Sequence, residues 1–162
     1  MKKALYAGSF DPITNGHLDI INRASKIVEH LHIVVSYNNS KQTNLTVEER
    51  IELIKKVTSH LKNVTVTSSN GLTVHYAKEH NIQLLIRSLR NYQDYEAEFS
   101  LFQYNKDIDN DIETMLLLPS SKNIFISSTA IRELLHHQCD ITKYVPDQIA
   151  PDIVRLFSEK SK

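Results

Sequence analysis

The feature that most limits how this chain can fold is an alternation of short apolar runs with longer segments whose apolar residues recur every three or four positions. Five runs have the length and the branched side chains of buried strands: 4–7, 32–37, 64–67, 84–86 and 113–118. A helical segment between two strands makes their connection a crossover, and crossovers join parallel strands. The alternation therefore predicts an α/β fold with a five-stranded parallel sheet and helices on both faces.

Apolar spacing and capping residues locate the helices. The first helix is indicated by one apolar face: Leu18, Ile21, Ala24, Ile27 and Val28. A second begins at Thr46, because Glu49 three residues later completes a capping-box pattern. Further helices are predicted over residues 72–80, 94–106 and 128–137, with a terminal helix from residue 146.

Composition limits the partners. A length of 162 residues suits one domain, spanning 1–162. The 19 basic and 19 acidic side chains cancel, so overall charge gives no reason to expect binding to nucleic acid or to a membrane. The single cysteine, Cys139, cannot form an intramolecular disulfide, and the first apolar run is too short for a leader or a membrane span. We therefore expect a cytoplasmic protein that binds anionic ligands through a local cluster.

The segment GSFDPITNGH, residues 8–17, follows the first strand directly and leads into the first helix. Ligands of parallel sheets bind outside the carboxyl ends of the strands, and a helix start offers free backbone N–H groups to an anion. Gly16 lets the backbone approach a ligand without a Cβ. The segment is therefore a candidate anion site with His17 directed into it.

Local sequence alone also fits an ordinary turn. Asp11 and Pro12 are common turn residues, Asn15 is a good N-cap, and His17 would then be a surface histidine. The segment is not a P-loop, which needs Lys followed by Ser or Thr after its last glycine, and it lacks the dinucleotide pattern G-x-G-x-x-G.

The tetrapeptide TNGH, residues 14–17, resembles the T-x-G-H variant of the nucleotidyltransferase signature, as found in the phosphopantetheine adenylyltransferase family. Further segments resemble this family in the same order along the whole chain. The resemblance implies a Rossmann-like domain that transfers the adenylyl group of ATP to 4′-phosphopantetheine, giving 3′-dephospho-coenzyme A and pyrophosphate. It also implies a homohexamer, and Mg²⁺ that arrives with ATP without a dedicated carboxylate cage.

The segment RSLR, residues 87–90, resembles the family pattern R-G-L-R, and YEAE after it resembles the acidic segment that follows. This resemblance implies that Arg87 contacts phosphopantetheine and that Ser88, Leu89, Arg90 and Glu98 line the ATP site. Arginine donors suit phosphate oxygens, although two arginines three apart also occur as surface pairs. Ser88 replaces the family glycine, and its Cβ would cost free energy if the backbone there required a positive φ or close contact with the nucleotide.

The resemblance implies further binding residues in other loops. Ser9 and Lys41 would hold the acceptor phosphate, and Thr73 would contribute backbone to the pantetheine pocket. On spacing alone, Lys41 fits a solvated loop lysine. The ATP site would also include Ser9 and Phe10 and the segment that resembles I-S-S-[ST]: Asn123, Ile124, Phe125, Ile126, Ser127, Ser128 and Thr129. Ser127 or Ser128 also fits the N-cap of the next helix, and capping is compatible with phosphate binding.

The catalytic residues that the resemblance implies are His17, Lys41 and Arg90. The acceptor is already a phosphate dianion, so catalysis would consist of positioning and charge neutralisation, with His17 donating to the α-phosphate. The remaining helical histidines show no metal-ligand spacing and are expected to be surface or core residues: His75, His80, His136 and His137.

Two alternatives remain open from sequence. One is a related nucleotidyltransferase that uses CTP with a sugar or polyol phosphate, or ATP with nicotinate mononucleotide. The other is a nucleotide-binding regulatory module without turnover.

Overall fold

A parallel sheet forms the centre of the protein, whose computed structural model describes residues 3–40 and 42–160. Its strands are β1 (Lys3–Gly8), β2 (His30–Ser36), β3 (Val64–Ser69), β4 (Leu84–Ser88) and β5 (Glu113–Leu117). Every neighbouring pair is parallel, in the order β3-β2-β1-β4-β5. The predicted five-stranded parallel sheet is confirmed.

Six helices accompany the sheet in the described residues: α1 (Asn15–Ala24), α2 (Val47–Thr58), α3 (Thr73–Glu79), α4 (Tyr92–Ile108), α5 (Ser128–His136) and α6 (Ala150–Lys160). The capping box predicted at Thr46 and Glu49 is present. A second capping box, formed by Thr14 and His17, begins α1. Within the described ranges, no helix combines the length and the hydropathy needed to cross a bilayer.

The two faces of the sheet carry separate core clusters, because alternate residues of a strand point to opposite faces. Ala4 and Tyr6 of β1 belong to the larger cluster, which includes side chains of α1, α2, α5 and α6. Leu5 and Ala7 belong to the smaller cluster, which includes Val74 of α3. Helices therefore cover both faces, as predicted.

Several predicted bounds differ from those observed. β2 begins two residues earlier, because His30 pairs in register with Lys3 of β1 and this ladder needs only backbone groups. α1 ends at Ala24, which leaves Ile27 in a turn and 54% exposed. The terminal helix begins at Ala150, after a turn that includes a hydrogen bond from the Ile149 amide to the Pro146 carbonyl at 3.0 Å.

The winding direction of the sheet reverses at β1. The chain runs outward through β1, β2 and β3, then crosses back to place β4 on the other side of β1. The carboxyl ends of β1 and β4 therefore lie side by side, and the loops after them diverge. This is the position where α/β sheets of this kind bind ligands.

Candidate active site

A cleft of about 580 Å³ opens at the carboxyl ends of β1 and β4. It brings together residues that are distant in sequence, from the loop after β1, from β4 with the start of α4, and from the start of α5. The predicted site residues that line it are Ser9, His17, Arg87, Ser88, Arg90, Glu98, Ile126, Ser127, Ser128 and Thr129.

Other predicted site residues lie outside the lining of this cleft. Phe10 is buried behind it, and Thr73 is the first residue of α3, which follows the edge strand β3. Four more are outside the lining: Leu89, Asn123, Ile124 and Phe125. Lys41 lies outside the described residues.

His17 is held in a defined orientation at the start of α1. The Thr14 amide donates to its Nδ1 at 3.1 Å, while the His17 amide donates to the Thr14 hydroxyl. Because Nδ1 accepts, the proton of a neutral ring is on Nε2, which is left to donate to a ligand. Burial, together with the positive charge of Arg90, lowers the pKa of His17 to about 4. The ring is thus a neutral hydrogen-bond donor near pH 7.

Phe10 packs against the His17 ring. Its backbone has φ 48°, and its side chain is 1% exposed. The Phe10 ring contacts the His17 ring edge to face, with centroids 5.0 Å apart. A Cβ on Gly8 would lie 3.3 Å from the Phe10 ring, so a larger residue at the first glycine of the segment would press on this ring.

The start of α1 offers fewer free amides than the sequence predicts. The Asn15 amide donates to the Tyr144 carbonyl at 2.9 Å, and Thr14 rather than Asn15 is the N-cap. Of the amides in the first turn, that of Gly16 is the one left for a ligand. A Cβ on Gly16 would meet protein atoms only at 3.5 Å or more, so the protein itself does not require this glycine.

Arg87 and Glu98 form a tight pair in the cleft. Nε of Arg87 donates to both Glu98 carboxylate oxygens at 2.9 Å, and Nη2 donates to Oε1 at 2.7 Å. Nη1 donates to the Ala7 carbonyl at 3.0 Å. Glu98 therefore orients Arg87 directly. The family resemblance assigns Arg87 to the acceptor and Glu98 to the ATP site, and it does not predict this pair.

Two more arginines line the cleft. Arg90 pairs with Asp94, since its backbone amide and its Nε both donate to Oδ2 at 3.0 Å. Arg132, one turn into α5, donates instead to the Asp11 carbonyl at 2.8 Å and to the Thr129 hydroxyl at 3.2 Å. Arg132 has no carboxylate partner among the described residues, so it is the cleft arginine whose charge is not neutralised. Arg132 is missing from the predicted site residues. Its position one turn after the N-cap Ser127 could have indicated that it lies near the start of this helix.

Ser88 does not strain the backbone. The non-glycine residues with positive φ in the described chain are Phe10, Asn81 and Gln138, so position 88 does not require glycine for its conformation. Burial raises the pKa of Tyr6 to about 12, although the Ser88 side chain acts to lower it, so the phenol stays protonated.

At the start of α5, some hydrogen-bond donors are free for a ligand and others are already bonded within the protein. The Ser127 hydroxyl caps the helix by accepting from the Ala130 amide at 3.1 Å, so its own proton remains available to a ligand. The Ser128 hydroxyl donates to the Pro12 carbonyl at 2.7 Å and has no second proton to give. The backbone amides of Ser128 and Thr129 have no intrahelical partners and suit an anion.

The carboxylates of the cleft do not form a metal cage. Asp94 and Glu98 are each paired with an arginine. No cluster of three or more His, Cys, Asp or Glu suited to a metal occurs within residues 3–40 and 42–160. Neither of these two carboxylates could bind a metal without giving up its arginine partner.

Comparison with known proteins identifies the family. The sequence profile of the cytidylyltransferase-like family matches residues 5–134. The chain belongs to the cytidylyltransferase-like family. The match includes every described side chain of the cleft, and it places the protein among the nucleotidyltransferases.

A solved structure shares the fold of this cytidylyltransferase-like chain. It is the crystal structure of a protein named as a nicotinate-nucleotide adenylyltransferase from Vibrio parahaemolyticus. The TM-score is 0.71 and the identity is 22%, with 95% of this chain and 99% of that chain covered. At this identity the likeness shows the Rossmann-like fold and leaves the acceptor undecided.

Lowering the pH from 6.5 to 4 is expected to destabilise the wild-type protein more than it destabilises the variant His17→Asn. The folded ring stays neutral down to its pKa of about 4, whereas the unfolded ring has a pKa near 6.5. Between these values the unfolded chain binds more protons than the folded chain. The free energy of unfolding therefore decreases as the pH is lowered. Urea unfolding across this range measures the difference between the two slopes.

An equal slope in the variant would contradict the buried neutral ring. The variant should keep part of the pH dependence, because burial and the neighbouring His30 and His80 also lower the pKa of His32 to about 4. NMR titration of the His17 ring reads its pKa directly.

Proposed function

We propose that this protein transfers the adenylyl group of ATP to 4′-phosphopantetheine, giving 3′-dephospho-coenzyme A and pyrophosphate. The observation that carries the proposal is the convergence of His17 with Arg87 and Arg90 in one cleft at the winding reversal. The family match supports nucleotidyl transfer in general. The choice of acceptor rests on the resemblance of RSLR and YEAE to the pantetheine branch.

The reaction is an in-line displacement at the α-phosphorus of ATP. An oxygen of the acceptor phosphate forms the new P–O bond while the bond to the β-phosphate breaks, and pyrophosphate leaves with its electron pair. His17 donates through Nε2 to an α-phosphate oxygen as negative charge increases there. A neutral donor in this position needs no proton transfer, because the acceptor is already ionised.

In this proposal, groups from the loop after β4 and from the start of α5 neutralise the charge on the leaving pyrophosphate. Arg90 and Arg132 supply permanent positive charge, and the α5 amides with the Ser127 hydroxyl supply further donors. Ser9 and Lys41 are proposed to hold the acceptor phosphate, and Arg87 to contact it through the N–H groups not directed at Glu98 or Ala7. Mg²⁺ on the nucleotide would offset phosphate charge.

An apolar groove next to the cleft suits the adenine ring. It has a volume of about 340 Å³ and shares Ile126 and Ser127 with the cleft. Phe125, which is 67% exposed, and Tyr144 form part of its wall. Adenine in this groove would leave the triphosphate at the start of α5, and Phe125 would contribute to the ATP site from outside the cleft.

A second candidate function is adenylyl transfer to nicotinate mononucleotide, which the name of the Vibrio protein favours. We expect pyrophosphate release from ATP and Mg²⁺ with 4′-phosphopantetheine, and little with nicotinate mononucleotide. CTP with a sugar or polyol phosphate forms the third arm of the assay. Release with another acceptor alone would reassign the substrate, and ATP binding without any release would favour a regulatory module.

Replacing His17 with alanine is expected to lower kcat by roughly 10² to 10³, the scale of removing one preorganised donor to a developing charge. The KM values should change much less, since the donor acts mainly in the transition state. Steady-state pyrophosphate release measures both constants. His75→Ala, outside the cleft on α3, is the matched control, and a loss confined to KM would make His17 a ground-state binder.

We also propose a homohexamer, supported by the surface of α4. None of its 17 residues is buried, and Tyr92, Phe99 and Tyr104 are 72%, 49% and 67% exposed. The rings of Tyr92, Tyr95 and Phe99 follow one another along the helix with centroids 6.1 and 6.0 Å apart, and contiguous exposed apolar side chains often mark a contact between proteins. Light scattering should give the mass of six chains, and Tyr104→Lys should lower it. Ile27→Lys, at an exposed apolar residue away from α4, should not; a monomeric wild type would refute the proposal.

A further inference from the structure

Arg50 on α2 is charged and yet fully buried. Its side chain is 1% exposed, and it forms no ion pair with any described residue. Its Nε donates to the Thr46 carbonyl at 3.2 Å, and its Nη1 donates to the Ser9 carbonyl at 2.9 Å. The nearby carboxylates of Asp11, Glu48 and Glu49 offset part of the cost of burying this guanidinium without bonding to it. Desolvation is still the larger effect, since it lowers the pKa of Arg50, so an apolar side chain of similar length would cost less here.

The Ser9 carbonyl is the link between Arg50 and the cleft. It immediately precedes Phe10, whose φ of 48° is uncommon for a residue with a side chain. The Phe10 ring in turn packs on the His17 ring, with centroids 5.0 Å apart. The bond from Arg50 thus fixes the peptide that sets the position of the aromatic support under His17.

The other side of Phe10 is held to the same segment of chain. The Asp11 carboxylate accepts from the Asn44 amide at 3.0 Å and from the Leu45 amide at 2.9 Å. Residues 44–50 therefore hold both neighbours of Phe10, one through its carbonyl and one through its side chain. The left-handed residue has little freedom to relax.

We propose that Arg50 is a positioning residue, which fixes Phe10 against His17 through the Ser9 carbonyl and so directs the imidazole at the reacting phosphate. Its effect on turnover rests on the proposed function, whereas its effect on the ring does not.

The test compares Arg50→Met, Arg50→Lys and Lys55→Met with the wild type. Lys55→Met removes the same charge from the exposed face of the same helix. We expect Arg50→Met to lower kcat about 10-fold or more, the scale of a small misplacement of a catalytic group, with the KM for ATP nearly unchanged. Arg50→Lys should recover part of kcat, because an ammonium can still donate to the Ser9 carbonyl. Lys55→Met should match the wild type.

NMR titration of the His17 ring is the second measurement, and it needs no turnover. In Arg50→Met, loosening of Phe10 admits water to the ring, so the His17 pKa should rise from about 4 toward its ordinary value. Arg90, the charged group that acts on the ring, is unchanged in each variant. If the wild type releases no pyrophosphate with any acceptor, the proposed function fails and this titration alone decides the role of Arg50.

Two results would overturn the inference. One is a kcat and a His17 titration in Arg50→Met equal to those of Lys55→Met. The other is a loss of kcat in both Arg50 variants that tracks their loss of unfolding free energy, with no change at His17. Should Arg50→Met fail to fold, Arg50→Lys is judged by the same two measurements.

Discussion

Strand β1 pairs with β2 on one side and with β4 on the other, and the whole site depends on this placement. The winding reverses there, so the loop after β1 and the loop after β4 open from the same point of the sheet. Arg87 and the Ala7 carbonyl, separated by 80 positions in sequence, are 3.0 Å apart as a result. The cleft is thus a consequence of strand order, and the chemistry is supplied by the side chains that follow the two strands.

The loop after β1 is fixed by groups that come from elsewhere in the chain. Arg50 holds the Ser9 carbonyl, Arg132 holds the Asp11 carbonyl, and the Ser128 hydroxyl holds the Pro12 carbonyl. A residue such as Phe10 in the left-handed region costs about 1 to 3 kcal/mol. These bonds hold the backbone on both sides of Phe10, which keeps the residue in that conformation.

Apolar periodicity was enough to predict the parallel sheet, and the resemblance to a family named ten of the residues that line the cleft, whose roles stay predictions. What the sequence could not show is which donors are already engaged. Asn15 fits an N-cap in one dimension, but its amide donates to Tyr144, which follows it by more than a hundred residues. Arg50 follows two glutamates on an amphipathic helix and therefore fits a solvated position, because its partner, the Ser9 carbonyl, is brought near only by the fold. For Ser88, the fold answers only the question of the backbone, since φ there is not positive, and the cost of its Cβ next to a nucleotide stays a prediction.

Helix α4 is attached to the rest of the described chain without a single buried residue. Three ion pairs join it to described residues outside the helix: Arg87 with Glu98, Arg90 with Asp94, and Lys106 with Glu113. The Lys106–Glu113 pair is exposed at Glu113, so it contributes little in water and dissolved electrolyte weakens it further. The Arg87–Glu98 pair is partly buried and is screened less, so ionic strength acts on the attachment of the carboxyl end of the helix more than on the geometry of the cleft.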